Sequence, residues 1–257
     1  MSTLQVVTSP LLDIPGVRHA FFTRQGGVSE GIYAGLNVGV GSRDDPERVR
    51  QNRALAANHF DLPAHALVTA YQVHSARAFA VDGPWPDAAP QGDAVVSATP
   101  GVLCGALAAD CAPVLIFDPQ ARVVAAAHAG WQGAIGGVVE NAVARMEELG
   151  AHRSRLVAAV GPCIGPRSYE VGLEFLDRFV AADPDNARFF APGETAEKRL
   201  FDLPAYVLGR LRAAGVGACE WVGRDTCVES EAFYSNRRAF KLGQDDYGRL
   251  LSAIALV

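Results

Sequence analysis

The chain reads as an α/β fold, a single domain of layered mixed β-sheets flanked by helices, and three observations predict it. Short apolar runs separated by turn residues crowd the middle of the chain, amphipathic segments of helical period lie on either side, and the two kinds do not alternate strictly. The 257 residues are 49% hydrophobic and 20% charged, the balance of a globular protein with a substantial core. No repeat, low-complexity tract or linker divides the chain, so one domain over 1–257 is expected.

In order, His19 to Thr23 predicts a strand running into a loop, Arg24 to Ser29, where the paired Gly26 and Gly27 permit close backbone approach. Asp45 followed by Pro46 marks a helix start, with Asp as N-cap and Pro at the first position, and the helix continues to about Phe60. Leu67 to His74 reads as a strand and Arg77 to Val81 as its hairpin partner. Asp93 to Ser97, Val102 to Ala109, Pro113 to Phe117 and Val123 to His128 are further strands, the last two joined by a turn at Asp118–Pro119–Gln120–Ala121. A helical pattern follows from Ile135 to Leu149, closed by Gly150. Leu156 to Val160 predicts a strand, Val171 to Ala181 and Leu203 to Ala214 helices, and Glu220 to Val222 and Leu251 to Leu256 the final strands.

Charge and cysteine content narrow the function. A net charge of −5 argues against broad electrostatic adhesion to nucleic acid or anionic membrane. The longest apolar stretch, Val102 to Phe117, is interrupted by Asp110 and Pro113 and is too short to span a bilayer. No signal-peptide pattern is recognised, so a cytoplasmic location is expected. The five cysteines form no CxxC pair, and in a reducing compartment they remain thiols.

Three residues carry chemistry. His74 ends an apolar run, where a hydrogen-bonded structural histidine is the plain alternative. Cys111 follows Asp110, and an acidic residue between apolar strands must be paired, hydrogen-bonded or exposed, because an isolated buried carboxylate is costly. His128 closes the next strand. If Pro113–Phe117 and Val123–His128 form a hairpin, Cys111 and His128 meet at one sheet edge, and His74 could complete a set. Two imidazoles and a thiolate suit Zn²⁺, and three protein ligands leave a position open, as in catalytic sites. A Cys–His nucleophilic pair without metal uses the same residues. Asp110 is the candidate for orienting a ligand or moving a proton. A multicopper oxidase is rejected, since six histidines with no His-x-His pair cannot supply its ligands.

Six segments in order resemble the YfiH family: Phe22–Thr23–Arg24–Gln25–Gly26–Gly27–Val28–Ser29, Leu36–Asn37–Val38–Gly39, Gln72–Val73–His74, Ala109–Asp110–Cys111–Ala112–Pro113, Ala127–His128–Ala129–Gly130–Trp131 and Gly161–Pro162–Cys163–Ile164–Gly165. That family has been called polyphenol oxidase or laccase-like and also peptidoglycan editing factor. The resemblance implies that His74, Cys111 and His128 bind zinc, with Cu²⁺ admitted by the laccase-like name, in a fold similar to the thiol-hydrolase toxins of the cytotoxic necrotizing factor type. It implies phosphorolysis of adenosine, inosine, guanosine and methylthioadenosine, and deamination of adenosine, with purine nucleosides and phosphate as small-molecule partners. For deamination, zinc lowering the pKa of its water from 15.7 to about 7 accounts for attack on purine C6. Arg24, the amides of Gly26 and Gly27, and the helix start after Gly130 are the candidate phosphate donors. The peptidoglycan-editing name implies the alternative, a Cys–His amidohydrolase acting on peptidoglycan precursors. Gln132 departs from the arginine expected after Trp131, which puts one cationic substrate contact in doubt.

Overall fold

The computed structural model describes residues 3–257. Its strands in chain order are β1 (Val6–Val7), β2 (Val17–Phe22), β3 (Leu67–Val68), β4 (Ala78–Ala80), β5 (Ala94–Ser97), β6 (Leu103–Ala108), β7 (Ala112–Asp118), β8 (Val123–Ala129), β9 (Val157–Val160), β10 (Glu170–Gly172), β11 (Phe190–Pro192), β12 (Lys198–Phe201), β13 (Ala218–Trp221) and β14 (Leu250–Leu256). The helices are α1 (Pro46–Asn58), α2 (Trp131–Gly136), α3 (Val138–Glu148), α4 (Leu173–Ala182), α5 (Leu203–Ala213) and α6 (Asn236–Lys241).

Two mixed sheets lie face to face. The six-stranded sheet runs β13-β9-β7-β8-β5-β4 and the five-stranded sheet β1-β2-β14-β6-β3. In the larger sheet β7 pairs antiparallel with β8, Pro113 opposite His128 and Asp118 opposite Val123. Both faces of this hairpin are buried, so its sequence is apolar without a break. Alternate residues still go to different layers. Val114, Ile116, Ala125 and Ala127 face α3 and α5, while Leu115, Phe117, Val124 and Ala126 face the other sheet against Cys104, Ala106 and Ile254. Each large aliphatic chain buried this way contributes about 1.5–3 kcal/mol. The outer face of the five-stranded sheet is covered by α1, through Ala56 and Ala57. The order of layers is therefore helix, sheet, sheet, helix. A separate antiparallel sheet, β10-β12-β11, closes over an aromatic group of Phe175, Phe179, Phe190 and Phe201.

The layered, mixed-sheet α/β expectation is met, and α1 starts where its cap predicts. The Asp45 carboxylate accepts from the Glu47 amide at 2.8 Å. Several local expectations are corrected. The strand predicted over Leu67 to His74 stops at Val68. Beyond it the Gln72 side-chain amide, not the main chain, exchanges hydrogen bonds with Leu107 N and O of β6, both 2.7 Å. Ala78–Ala80 is not its hairpin partner but pairs parallel with β5 in the other sheet. Residues 69–77 thus cross from one sheet to the other and carry His74 over the gap. The helix expected from Ile135 to Leu149 begins earlier, at Trp131, and is broken by Gly137 at φ 96°. Val171 belongs to β10, opposite Arg199, so α4 starts two residues later than expected. No helix of the described residues is long and apolar enough to cross a membrane.

Candidate metal centre

The three predicted side chains converge. Nδ1 or Nε2 of His74 and His128 and Sγ of Cys111 lie within 4.8 Å of one another. Each arrives by a different local device. His128 is the penultimate residue of β8 and is buried. Cys111 immediately precedes β7, after Asp110 in the left-handed region at φ 88°. His74 is itself left-handed, φ 59°, an uncommon state for a residue with a β-carbon. Gly130 leaves room for the cluster, because a β-carbon there would lie 2.7 Å from His74 Cδ2 and 2.9 Å from Cys111 Sγ.

The strain at His74 is held by Asp93, whose side chain is fully buried. Its carboxylate accepts from the amides of Val73 (3.3 Å), His74 (3.0 Å) and Ser75 (2.6 Å) and from the Ser75 hydroxyl (2.7 Å). The same group lies 2.9 Å from His128 Nδ1, which directs Nε2 toward the cluster. Carboxylate partners of this kind set the tautomer and raise the basicity of a metal-binding histidine. Burial opposes ionisation of Asp93, but the bonds from His128 and Ser75 outweigh it and lower its pKa.

The donors fit a divalent ion of borderline softness. Tetrahedral zinc, with Zn–S about 2.3 Å and Zn–N about 2.0–2.1 Å, requires S and N about 3.6 Å apart. Cys111 Sγ lies 3.8 Å from His74 Nε2. Burial alone would push the Cys111 thiol up, yet the charge and hydrogen bonds of His128 and His74 bring it down to about 6. Burial would likewise discharge His128, but the Cys111 thiolate and Asp93 push its imidazolium up to about 9. At neutral pH the metal-free site is a thiolate–imidazolium pair, already holding the anionic ligand that a cation needs.

Two clefts open on the cluster. One, about 170 Å³, is lined by Asp110, Trp131, Tyr169, Asn236 and Arg237 together with His74 and Cys111. The other, about 300 Å³, is lined by Tyr71, Gln72, Leu107, Tyr247 and Arg249 together with all three ligands.

Four sequence expectations need correcting. Asp110 does not contact either histidine. It accepts from Thr226 Oγ1 (2.7 Å), Ser235 Oγ (2.9 Å) and the Arg237 amide (2.6 Å), and so fastens 226–237 beside the cluster. Arg24 donates to Ala34 O (3.2 and 3.1 Å) and Ser230 O (3.3 Å) and stacks on Tyr234, which commits it to loop packing. Gly26 approaches the main chain of Thr3 and Leu4, and Gly27 that of Gly35 and Leu36, so both serve backbone packing and line neither cleft. Asp93 is the residue that sequence reasoning missed. The readable signal for Asp93 was an acid placed directly before a short, fully buried strand.

The family model described as multi-copper polyphenol oxidoreductase laccase matches residues 18–257. A Deinococcus radiodurans protein named purine nucleoside phosphorylase is 41% identical over 251 residues, covering 96% of this chain and 93% of that protein. Purine nucleoside phosphorylase YfiH of Escherichia coli K12 is 37% identical over 244 residues, 94% of this chain and 95% of that one. Among solved structures, a Neisseria meningitidis protein superposes with a TM-score of 0.85 at 34% identity, covering 98% of each chain. The YfiH protein of Bacillus licheniformis superposes at 0.86 and 26% identity, covering 96% of this chain and 98% of that chain.

Proposed function

This chain belongs to the multi-copper polyphenol oxidoreductase laccase family, and from that premise we propose that it is a metal-dependent purine nucleoside phosphorylase whose catalytic domain spans the chain. Its substrates on this reading are adenosine, inosine, guanosine and methylthioadenosine with inorganic phosphate, and it also deaminates adenosine. The observation that carries the reading is one ligand cluster, exposed to two clefts and backed by a buried carboxylate, in a chain whose curated relatives bear the phosphorylase name.

His74, Cys111 and His128 would hold the ion, zinc by the chemistry of the donors. When bound, it supplies Lewis acidity and a fourth position for water or substrate. Asp93 keeps His128 Nε2 aimed at that point and holds the main chain that carries His74. Asp110 is a positioning residue, since it fastens the Arg237 amide on the wall of the smaller cleft. Trp131 and Tyr169 on that wall, and Tyr71 and Tyr247 on the other, offer aromatic faces to a purine or ribose. Phosphorolysis joins a phosphate oxygen to ribose C1′ and breaks the bond from C1′ to the purine nitrogen. Deamination consumes a water, whose oxygen replaces the exocyclic amine at C6, and releases ammonia.

Incubating the zinc-loaded protein with inosine and phosphate should release hypoxanthine and ribose 1-phosphate, and adenosine alone should yield inosine. Silence with every nucleoside would overturn the reading.

A second reading rests on a specific feature, the chain Cys111–His128–Asp93 with a thiolate at neutral pH. Such a triad suits an amidohydrolase acting on peptidoglycan precursors. Cys111 Sγ would attack the amide carbon, the His128 proton would pass to the departing amine, and water would release the acid from the thioester. Metal-stripped protein that hydrolyses a muropeptide nucleotide, and stops when Cys111 is alkylated, would favour this reading over the first.

A further inference from the structure

The cluster stands on the partition between two clefts of unlike character. Arg237, on the smaller one, donates one hydrogen bond to Glu170 O (2.8 Å), stacks on Tyr169 at 5.2 Å, and has no ion-pair partner among the described residues. Arg249, on the larger one, is paired with Asp246 at 2.8 Å, so its charge is already met. Besides the Cys111 thiolate of the cluster, the small cleft carries Asp110, both of whose oxygens accept hydrogen bonds, from Thr226, Ser235 and the Arg237 amide. The cation without an ion-pair partner therefore lines the cavity of about 170 Å³, where its charge also acts on Asp110, and the roomier, more apolar one of about 300 Å³ carries the exposed ring of Tyr71 and that of Tyr247. A guanidinium with donors to spare and no ion-pair partner is a forked donor suited to phosphate oxygens, whereas an aromatic-walled cleft suits a nucleobase. A purine nucleoside is also several times larger than phosphate.

We infer that the two clefts divide the substrates. Inorganic phosphate binds against Arg237 and Asn236 in the smaller cleft, the purine lies against Tyr71 and Tyr247 in the larger, and the ribose crosses the partition beside His74 and Cys111. The inference rests on the phosphorylase reading and specifies its binding mode. A phosphate oxygen then approaches C1′ from the Arg237 side while the bond from C1′ to the purine nitrogen breaks toward the opposite cleft. The proton carried by hydrogen phosphate passes through water to the departing base, which leaves ribose 1-phosphate and the neutral purine. Holding both reactants on opposite sides of one carbon lowers the entropic part of the barrier.

The test uses the zinc-loaded protein, inorganic phosphate and 9-deazainosine, whose carbon–carbon glycosidic bond cannot be cleaved. Calorimetric titration should show both ligands bound together, with neither weakening the other more than about twofold. Arg237→Gln should weaken phosphate at least tenfold and leave 9-deazainosine within twofold, which also reports that the variant is folded; Tyr247→Leu should do the reverse, and Arg237→Lys should fall between. Mutually exclusive binding overturns the inference. So does loss of phosphate binding in Tyr247→Leu with retention in Arg237→Gln, or failure of the native protein to bind either ligand. If native protein binds both as described yet forms no hypoxanthine from inosine and phosphate, the division of clefts stands and the phosphorylase reading falls.

Discussion

The carboxylate of Asp93 accepts from three consecutive amides, one hydroxyl and one imidazole, so two histidines far apart in sequence depend on a single acid. Asp93→Asn keeps the shape but removes the charge and one acceptor. It should lower metal affinity about 10–100-fold, read by competition with a chromogenic chelator. An unchanged affinity would mean that Asp93 does not orient the ligands. The cysteines offer a second check. Burial raises the thiols of Cys104, Cys163, Cys219 and Cys227, while Cys111 is brought down to about 6 by its histidines. In metal-free protein at pH 7, iodoacetamide should modify Cys111 first among the five. Because the thiolate is the reactive form, the rate should climb as pH rises through about 6 and then level off. Metal should protect it. A midpoint near the ordinary thiol value would remove the thiolate–imidazolium pair.

At the scale of elements, the hairpin of β7 and β8 brings Cys111 and His128 together, and its far end is secured by Asp118. That buried carboxylate accepts from the Gln120, Ala121 and His152 amides and pairs with Arg155 at 3.0 Å. Burial opposes its ionisation, but Arg155 and these amides lower its pKa. Asp118→Ala should cost about 2–3 kcal/mol at pH 7, below the usual loss for a broken buried pair because Arg155 is partly exposed and regains water. A depressed carboxylate stabilises the fold above its unfolded pKa and ceases to do so as pH falls through the folded value. The difference from native protein should therefore shrink below about pH 4 in urea titrations. The turn at Asp118–Pro119–Gln120–Ala121 was readable because Asp and Pro favour tight turns for local reasons. The short β3 and the break at Gly137 were not. The first depends on Gln72 reaching another strand, and the second on a left-handed glycine that a helical pattern tolerates.

For the whole molecule, the ligands join regions that secondary structure keeps apart. Cys111 and His128 belong to the ends of one hairpin, and His74 to the segment crossing between the two sheets. An ion bound to all three links both layers and favours the folded state by mass action. At free metal 100 times the dissociation constant the gain is about 2.7 kcal/mol. For a chain of this length that is roughly 5–10 °C in Tm. Removing metal with a chelator should lower Tm by that amount in differential scanning calorimetry, and should lower it far less in His74→Ala. An equal fall in that variant would separate the stabilising ion from this cluster.

What the amino-acid order determined by itself is local in origin. The apolar runs, the caps and turns, and the scarcity of charge define the layered α/β class, because periodicity and turn chemistry act over a few residues. The motifs around His74, Cys111 and His128 also pointed to three side chains that the fold brings within 4.8 Å of one another. Tertiary structure alone decided that Asp93, not Asp110, supports the histidines, that Arg24 and its glycines serve loop packing, and that Arg237 faces the cleft. Hydrogen bonds between residues this distant depend on how two sheets stack and where a crossing chain turns, and no window of neighbouring residues encodes that.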